Sequence, residues 1–268
     1  MSLIREALKK AALERTEIAG EEQKPAETKA VVSPPVSSPV VSSVDPLAVC
    51  YTAPESLEAE QYRNLRAHLY LSSNGGVRQV FMVTSGVAGE GKSLTAVNLA
   101  IAMAQDLDRR VILVDADLRT PAVHKLLRHP AHPGLSEYLA EGAPLESVVS
   151  SCQVPRLAVL CAGSPSHSPS ELIGSSKMKN LIEELKKRFD YVIFDTCPIL
   201  HVSDSRILGT LADAIILVVR ASRTPRETVT EVLQRLDSAK VLGIVLNDVE
   251  PLSISYHYRG TKPERNKE

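Results

Sequence analysis

Tryptophan is absent from this sequence, aromatic residues make up only 4% of it, and long apolar runs are missing. No apolar stretch approaches the roughly 20 residues that a membrane-spanning helix needs. The opening residues, MSLIREAL, lack the apolar core and the cleavage site of a signal peptide. We therefore expect a cytoplasmic protein that reaches the inner face of the cell membrane only peripherally, through a partner.

Cysteine and net charge are also low. The four cysteines, at positions 50, 152, 161 and 197, show no C-x-x-C spacing, which favours reduced thiols over a disulfide framework. A net charge of −1 provides no electrostatic attraction to polyanions, so we expect no nucleic-acid partner. The 268 residues, 44% of them hydrophobic, suffice for one large core.

The clearest motif is G-x-x-x-x-G-K-S at residues 86–93. A short apolar strand pattern at 79–84 precedes it, and a helix pattern at 93–104 follows. Strand, glycine loop and helix together present backbone N–H groups and a helix N-terminus, which attract phosphate. The predicted nucleotide-binding residues are Gly86, Gly89, Glu90, Gly91, Lys92, Ser93 and Leu94. Among them, Lys92 would reach the terminal phosphates and Ser93 the Mg²⁺.

Carboxylates follow two later strand patterns. Asp115 and Asp117 end the apolar run at 111–114, and Asp195 ends the run at 191–194. Buried parallel strands deliver such residues to the carboxyl edge of the sheet, where ligands of open α/β sheets bind. Carboxylate oxygens suit Mg²⁺, directly or through water, so we expect phosphoryl chemistry there. Asn247 ends the last strand pattern; it either reads the nucleotide base or caps a turn.

Strand and helix patterns alternate from 79 to 247, which predicts an α/β fold with a mostly parallel sheet and helices on both faces. We expect about seven strands in a single domain at 51–252. Residues 17–50 are rich in Pro, Ser and Val and are expected to form a linker. Residues 1–16 have the pattern of an amphipathic helix, which is either a docking helix or a frayed terminus.

Two further features lie on either side of the phosphate loop. Residues 55–73 have a helical pattern in which Glu60, Arg63 and Arg66 share one face, a spacing that also suits an exposed salt-bridged stripe. The polar tail at 253–268 carries Tyr256 and Tyr258. A tyrosine in a polar chain end can enter another molecule's active site, although both could also pack back on the domain.

The three motifs in this order resemble those of bacterial tyrosine autokinases of exopolysaccharide and capsule export. That family belongs to the deviant Walker branch of phosphate-loop NTPases, with the MinD and ParA ATPases. The Glu60/Arg63/Arg66 spacing is similar to the E-x-x-R-x-x-R element through which the kinases form rings. The opening residues 1–8 are similar to members found in exosortase-associated polysaccharide loci.

The sequence also departs from the pattern of these relatives. Val87 and Ala88 stand where MinD and ParA carry a signature lysine, which favours the kinase subgroup. Only two tyrosines remain in a tail that usually carries a longer cluster, and Cys197 replaces a usual proline. An ATP-dependent switch that phosphorylates nothing would share every phosphate-loop residue, so it is the alternative function.

The resemblance implies a tyrosine autokinase that uses Mg·ATP and regulates exopolysaccharide polymerisation or export. Lys92, Asp115 and Asp117 would be catalytic, Ser93, Asp117 and Asp195 would bind Mg²⁺, and Tyr256 or Tyr258 of a neighbouring subunit would accept the phosphoryl group. The implied partners are further copies in a ring, a separate membrane chain-length-determinant protein that activates the kinase, and a tyrosine phosphatase.

Overall fold

A computed structural model describes residues 44–71 and 78–250, and a seven-stranded sheet forms its centre. The expected N-terminal helix at 1–16, most of the expected linker and the tail tyrosines lie outside the described residues. The strands are β1 Val80–Ser85, β2 Val111–Asp115, β3 Ser150–Ser151, β4 Leu157–Leu160, β5 Tyr191–Asp195, β6 Ala214–Arg220 and β7 Val241–Asn247.

The strands lie in the order β3-β4-β2-β5-β1-β6-β7. Every neighbouring pair is parallel except β3 with β4, which is antiparallel. The predicted α/β fold with a mostly parallel sheet of about seven strands is thus confirmed. Because consecutive parallel strands need crossover connections, helices cover both faces.

The central strands are apolar on both faces, as burial on two sides requires. Every residue of β1 is buried, and its side chains alternate between two hydrophobic cores. Phe81 and Val83 belong to the core on one face of the sheet, and Val80 and Met82 to the core on the other. The sheet is therefore the middle layer of three.

The helices of the described residues vary from one turn to fifteen residues. They are Val49–Thr52, Leu57–Leu71, Lys92–Ala104, Val123–Leu126, Leu145–Val148, Pro169–Ile173, Ser176–Arg188, Asp204–Leu211 and Arg226–Arg235, with a π-helical turn at Glu137–Glu141. None of the helices in these parts of the chain combines the length and apolarity needed to cross a membrane.

The helix Lys92–Ala104, which follows the phosphate loop, is the most deeply enclosed of these. Eleven of its 13 residues are buried, among them Thr95 and Asn98. It packs against the sheet on one side and against the helix Leu57–Leu71 on the other. Its small alanine side chains permit this close approach, and the packing fixes the loop at its N-terminus.

The domain boundary differs from the expectation. Residues 44–50 were assigned to the linker, yet Val44, Ala48 and Cys50 are buried in the core that encloses the phosphate-loop helix. The Asn98 side chain accepts the Cys50 N–H at 3.0 Å and donates to the Leu47 carbonyl at 3.0 Å. The packed domain therefore includes residues from 44 onward.

Two smaller differences concern single elements. Residues 170–188 have the sequence pattern of one helix, but the structure divides them at Gly174, because Ser175 starts a new helix by accepting the Met178 N–H on its side chain. The two-residue strand β3 was not expected. A segment this short has no periodicity that a sequence pattern could show.

Candidate functional site

The predicted site residues meet at the carboxyl edge of the sheet. β1 leads into the phosphate loop, and β2 and β5 end on Asp115 and Asp195. Asp195 pairs in register with Asp115 on one side and with Val83 of β1 on the other. This register brings the carboxylates, which are far apart in sequence, to the floor of one site.

Lys92 is the cation of this floor. Its Nζ lies 2.8 Å from Asp117 Oδ2 and 3.9 Å from Asp195 Oδ1, and it donates to the Ser93 hydroxyl at 3.2 Å. Burial acts against the ammonium charge, but the carboxylates of Asp195 and Asp117 raise the pKa of Lys92 above its usual value. Lys92 is therefore charged across the neutral range.

Asp117 is held by the loop that follows β2. Its Oδ1 accepts the backbone N–H groups of Thr120 at 2.9 Å and Arg119 at 3.3 Å. Burial alone would raise the pKa of Asp117, but the Lys92 ammonium and its hydrogen bond lower it overall. The carboxylate is thus ionised and fixed in orientation.

Asp195 is the exception among these carboxylates. It is fully buried, and neither of its oxygens has a hydrogen-bond partner among the described residues. Burial raises its pKa to about 6, an effect that Lys92 opposes. Buried carboxylates are ordinarily hydrogen-bonded, so one whose nearest ammonium, that of Lys92, is 3.9 Å away is a candidate ligand for a bound cation.

Asp115 is also fully buried, but its oxygens are occupied. Oδ2 accepts the N–H groups of Ala122 at 3.1 Å and Val123 at 3.0 Å, and Oδ1 accepts that of Asp117 at 3.2 Å. Burial and the nearby Asp195 charge raise its pKa to about 8. Asp115 therefore shapes the segment that carries Asp117.

The phosphate loop itself is held by side chains from later elements. Gly91 has a φ of +93°, which favours glycine, and a Cβ atom there would lie 2.0 Å from Asn247 Nδ2. That amide donates to the Glu90 carbonyl at 3.0 Å. Asn247 thus contacts the backbone of the phosphate loop, and its reading of the base stays a prediction.

Glu90, expected to contact nucleotide, has its carboxylate engaged elsewhere. It is 2% exposed, and its oxygens accept from the Val87 N–H and the Thr224 hydroxyl. Sequence reasoning missed Thr224. No local signal could have found it, since 134 positions separate the two residues.

A second charged cluster, also missed, adjoins Asp117. The Arg119 guanidinium donates to the buried Asp204 carboxylate at 2.8 Å, and Ser170 hydrogen-bonds the same carboxylate at 2.5 Å. Burial would raise the pKa of Asp204, but these two bonds and the Arg119 charge lower it. The cluster ties the loop after β2 to the helix Asp204–Leu211.

The proposed oligomer residues lie on the helix Leu57–Leu71, away from the sheet edge. Arg63 forms an ion pair with Glu60 at 2.6 Å and donates to the Pro54 carbonyl at 2.7 Å. Arg66 donates to the Ala102 carbonyl at 2.6 Å, near the end of the phosphate-loop helix. The predicted salt-bridged stripe therefore consists of Glu60 and Arg63, while Arg66 is tied to its own domain.

The remaining site residues complete this placement. Gly86, Gly89 and Leu94 lie in the loop and at the start of its helix, and Tyr256 and Tyr258 fall outside the described residues. Within residues 44–71 and 78–250, no three His, Cys, Asp or Glu side chains converge as an all-protein metal cage. A Mg²⁺ site of the kind expected here does not need one, since Mg²⁺ keeps waters and takes phosphate oxygens.

Comparison with known proteins agrees with this geometry. A family model described as an AAA domain matches residues 79–244. The tyrosine-protein kinase YwqD of Bacillus subtilis is 38% identical over 217 residues, which are 80% of this chain and 91% of YwqD.

Two further matches connect the chain to polysaccharide systems and to a kinase fold. The succinoglycan biosynthesis transport protein ExoP of Rhizobium meliloti is 35% identical over 203 residues, which are 74% of this chain and 26% of ExoP. The chain thus spans about a quarter of that longer relative. The kinase domain of the Escherichia coli tyrosine kinase ETK matches with a TM-score of 0.72 and 30% identity, over 79% of this chain and 84% of that domain.

A match of more than half the chain to one family model, and of nine-tenths of a curated kinase, confirms the predicted kinship. The site contains the phosphate loop and the three carboxylates by which the sequence resembles this family. The chain belongs to the bacterial tyrosine autokinases of polysaccharide loci, a group of phosphate-loop NTPases.

Proposed function

We propose that this protein transfers the γ-phosphoryl group of ATP to tyrosine and thereby regulates exopolysaccharide polymerisation or export. The observation that carries the proposal is the fully buried Asp195 carboxylate, which has no hydrogen bond among the described residues and lies beside the Lys92–Asp117 pair. A phosphate loop alone indicates only nucleotide binding. Besides positioning, phosphoryl transfer needs a cation that neutralises the developing negative charge. The three carboxylates beside the loop can hold such a cation.

The nucleotide phosphates would lie on the loop formed by residues 86–93. Its backbone N–H groups and the N-terminus of the helix Lys92–Ala104 favour anions. Lys92 would exchange part of its contact with Asp117 for the β- and γ-phosphates, where it neutralises developing charge. Asn247, at the end of β7, is proposed to contact the base through its amide oxygen.

Mg²⁺ is the cofactor that the donor set fits. Ser93, Asp117 and Asp195 would hold it, the last in part through water, since Asp195 has no hydrogen bond among the described residues and lies 3.9 Å from the Lys92 ammonium. When bound, the ion neutralises charge on the transferred group. Asp195 and Asp117 are pre-placed for this by β5 and by the loop after β2.

The acceptor is proposed to be Tyr256 or Tyr258 of a neighbouring copy. Its phenolic oxygen would bond to the γ-phosphorus as the bond to the ADP oxygen breaks, and its proton would pass to an oxygen of the transferred phosphoryl group. Asp115 could orient the acceptor hydroxyl or remove its proton; we favour orientation, because three backbone N–H groups occupy the Asp115 oxygens. Glu60, Arg63 and Arg66 are proposed to contact the next copy in a ring.

The other partners follow from the family. A relative named as a succinoglycan biosynthesis transport protein is far longer than this chain. We propose that a separate membrane chain-length-determinant protein binds the kinase, activates it and keeps it at the inner face of the membrane. A tyrosine phosphatase would reverse the modification.

Replacing both tail tyrosines tests the choice of acceptor. We expect Tyr256→Phe/Tyr258→Phe to lose autophosphorylation, because phenylalanine lacks the attacking oxygen, while ATP hydrolysis persists. Phosphotyrosine on purified protein is measured after incubation with Mg·ATP, and Tyr51→Phe, an exposed tyrosine outside the tail, serves as the control. ATP hydrolysis with no phosphotyrosine in the unaltered protein would support the ATPase switch instead.

A further inference from the structure

A carboxylate in an anion-binding loop requires an explanation. Glu90 lies between Gly89 and Gly91, in the loop whose N–H groups attract phosphate, and an exposed negative charge there would repel the nucleotide. Its side chain is nevertheless 2% exposed. The carboxylate therefore faces the protein interior, and what it contacts there decides its role.

Both oxygens of Glu90 accept hydrogen bonds. Oε2 accepts the Val87 N–H at 2.9 Å, which closes the turn at the start of the loop. Oε1 accepts the hydroxyl of Thr224, which lies in the connection between β6 and the helix Arg226–Arg235. Bonds to a charged acceptor are stronger than neutral ones, so the first stabilises the turn within the loop and the second ties the loop to a separate element.

Thr224 is suited to this position because its hydroxyl serves two bonds. While it donates to Glu90, its oxygen accepts the Arg220 N–H at 3.3 Å. Valine has the same shape but can do neither. The hydroxyl thus transmits the position of the end of β6 to the phosphate loop.

The third contact comes from β7. The Asn247 side-chain amide donates to the Glu90 backbone carbonyl at 3.0 Å, and the Asn247 backbone carbonyl accepts the Ala221 N–H at 2.8 Å. Glu90 is therefore held through its carboxylate by one element and through its backbone by another. We call Glu90, Thr224 and Asn247 the loop latch.

We propose that Glu90 and Thr224 are positioning residues, which hold the phosphate loop in its nucleotide-binding shape through the loop latch. The inference deepens the proposed function, because it concerns how that same site binds ATP. A loop ordered in advance loses less conformational freedom when the nucleotide binds. The latch should therefore affect nucleotide affinity more than the rate of phosphoryl transfer.

The test uses isosteric variants of the full-length protein. Thr224→Val removes the hydroxyl and leaves every charge in place, Thr224→Ser restores it, and Thr230→Val is the matched control on the neighbouring helix, where the hydroxyl bonds only the Arg226 carbonyl. We expect Thr224→Val to weaken ADP binding in calorimetry and to raise KM for ATP about tenfold, with kcat within about twofold. Thr224→Ser and Thr230→Val should match the unaltered protein.

Glu90→Gln separates the latch from a simple charge effect. If Glu90 acted only through its charge, the neutral side chain would bind ADP more tightly. The latch predicts weaker binding, because an amide cannot accept hydrogen bonds on both of its atoms. Calorimetry measures ADP affinity even if the protein transfers no phosphate to tyrosine. Failure of the latch proposal and failure of the kinase proposal are therefore distinguishable.

Three outcomes would overturn the latch. The first is an ADP affinity of Thr224→Val equal to that of Thr230→Val. The second is tighter ADP binding by Glu90→Gln. The third is a loss of affinity in Thr224→Val that also occurs in Thr224→Ser. Thermal unfolding of each variant accompanies the binding measurements. Weak binding confined to variants that are already unfolded at the assay temperature also counts against the latch.

Discussion

Asp195 carries more of the functional argument than any other residue. A buried ionised carboxylate that accepts no hydrogen bond is costly, and proteins normally avoid it. Here β5 delivers it to the sheet edge in register with Asp115, so its burial follows from the fold. The cost is consistent with a residue kept for a bound cation.

This leads to a pH-dependent prediction for the metal-free protein. The folded-state pKa of Asp195, about 6, lies above the ordinary aspartate value of 3.8, so the folded state binds more protons between these values. The stability that protonated Asp195 contributes is fully present below its unfolded-state pKa and is lost as pH rises through its folded-state pKa. Asp195→Asn cannot titrate, so this pH-dependent loss of stability should disappear in the variant.

Urea unfolding in EDTA at about pH 5 and about pH 7.5 measures the effect. The unaltered protein should lose more stability between the two than Asp195→Asn, by on the order of 1 kcal/mol. The pKa of Asp115, about 8, is raised in part by the Asp195 charge, so it should fall in Asp195→Asn, which adds to the difference between the two proteins in the same direction. An equal pH dependence of the two proteins would contradict a cation-binding Asp195 whose buried carboxylate lacks hydrogen bonds.

At this scale the sequence predicts positions better than contacts. Lys92, Asp117 and Asp195 converge as expected, because motif spacing and strand ends determine where their backbones lie. The role of Glu90 could not be predicted, since its carboxylate is turned inward by Thr224 from a distant element. Side-chain direction in a loop depends on tertiary partners, and local pattern does not report them.

The segment at residues 44–52 is the informative case at the scale of elements. Asn98, from the middle of the phosphate-loop helix, binds its backbone at Cys50 and Leu47, and Gln105 donates to the Cys50 carbonyl at 2.9 Å. A composition rich in Pro, Ser and Val predicted a linker through residue 50. Burial of a few small residues leaves no trace in composition, so only the structure places this boundary.

Two truncations test this boundary. Deleting residues 1–43 should leave the free energy of unfolding of the domain within about 0.5 kcal/mol of the full chain. Deleting residues 1–52 should cost roughly 3–5 kcal/mol, because three buried apolar side chains are lost and the buried Asn98 amide loses partners.

Urea unfolding of both truncated proteins gives the comparison. Similar stability of the two would show that residues 44–52 contribute little to the domain. The shorter deletion also removes the predicted helix at 1–16, so its binding to the membrane partner tests the docking role without disturbing the fold. Unchanged binding would refute that role.

At the scale of the whole molecule, the prediction concerns oligomer formation. Arg63 is the suitable residue to change, because its pair with Glu60 is exposed and surface pairs contribute little to stability. Arg66 is less suitable, since its bond to the Ala102 carbonyl joins two helices, whereas the Arg63 bond to Pro54 stays next to its own helix. We expect Arg63→Glu to abolish oligomers while the unfolding temperature stays within a few degrees.

Light scattering coupled to size-exclusion chromatography reports the mass of the assembly. Arg188→Glu is a matched control, because Arg188 is another partly exposed arginine in ion pairs on a different helix. Assembly that survives Arg63→Glu, or that Arg188→Glu disrupts equally, would contradict a ring contact through residues 60–66.

The overall architecture was predictable because it depends on alternation. Apolar strand patterns separated by helical ones require parallel strands with crossovers, and seven strands with helices on both faces are what the structure contains. The strand β3 and the division of the helical segment near residue 174 could not be predicted, since each depends on one or two residues. The fold thus follows from long-range periodicity, and its details from local contacts.

The central claim is that the phosphate loop and the three carboxylates transfer phosphate to tyrosine. Mass spectrometry of the purified protein after incubation with Mg·ATP tests it most directly, with Lys92→Met as the variant. We predict phosphotyrosine on the unaltered protein and none on Lys92→Met, because the variant lacks the cation that stabilises the transferred charge. Phosphotyrosine that persists on Lys92→Met, or that never forms on the unaltered protein, would contradict the account.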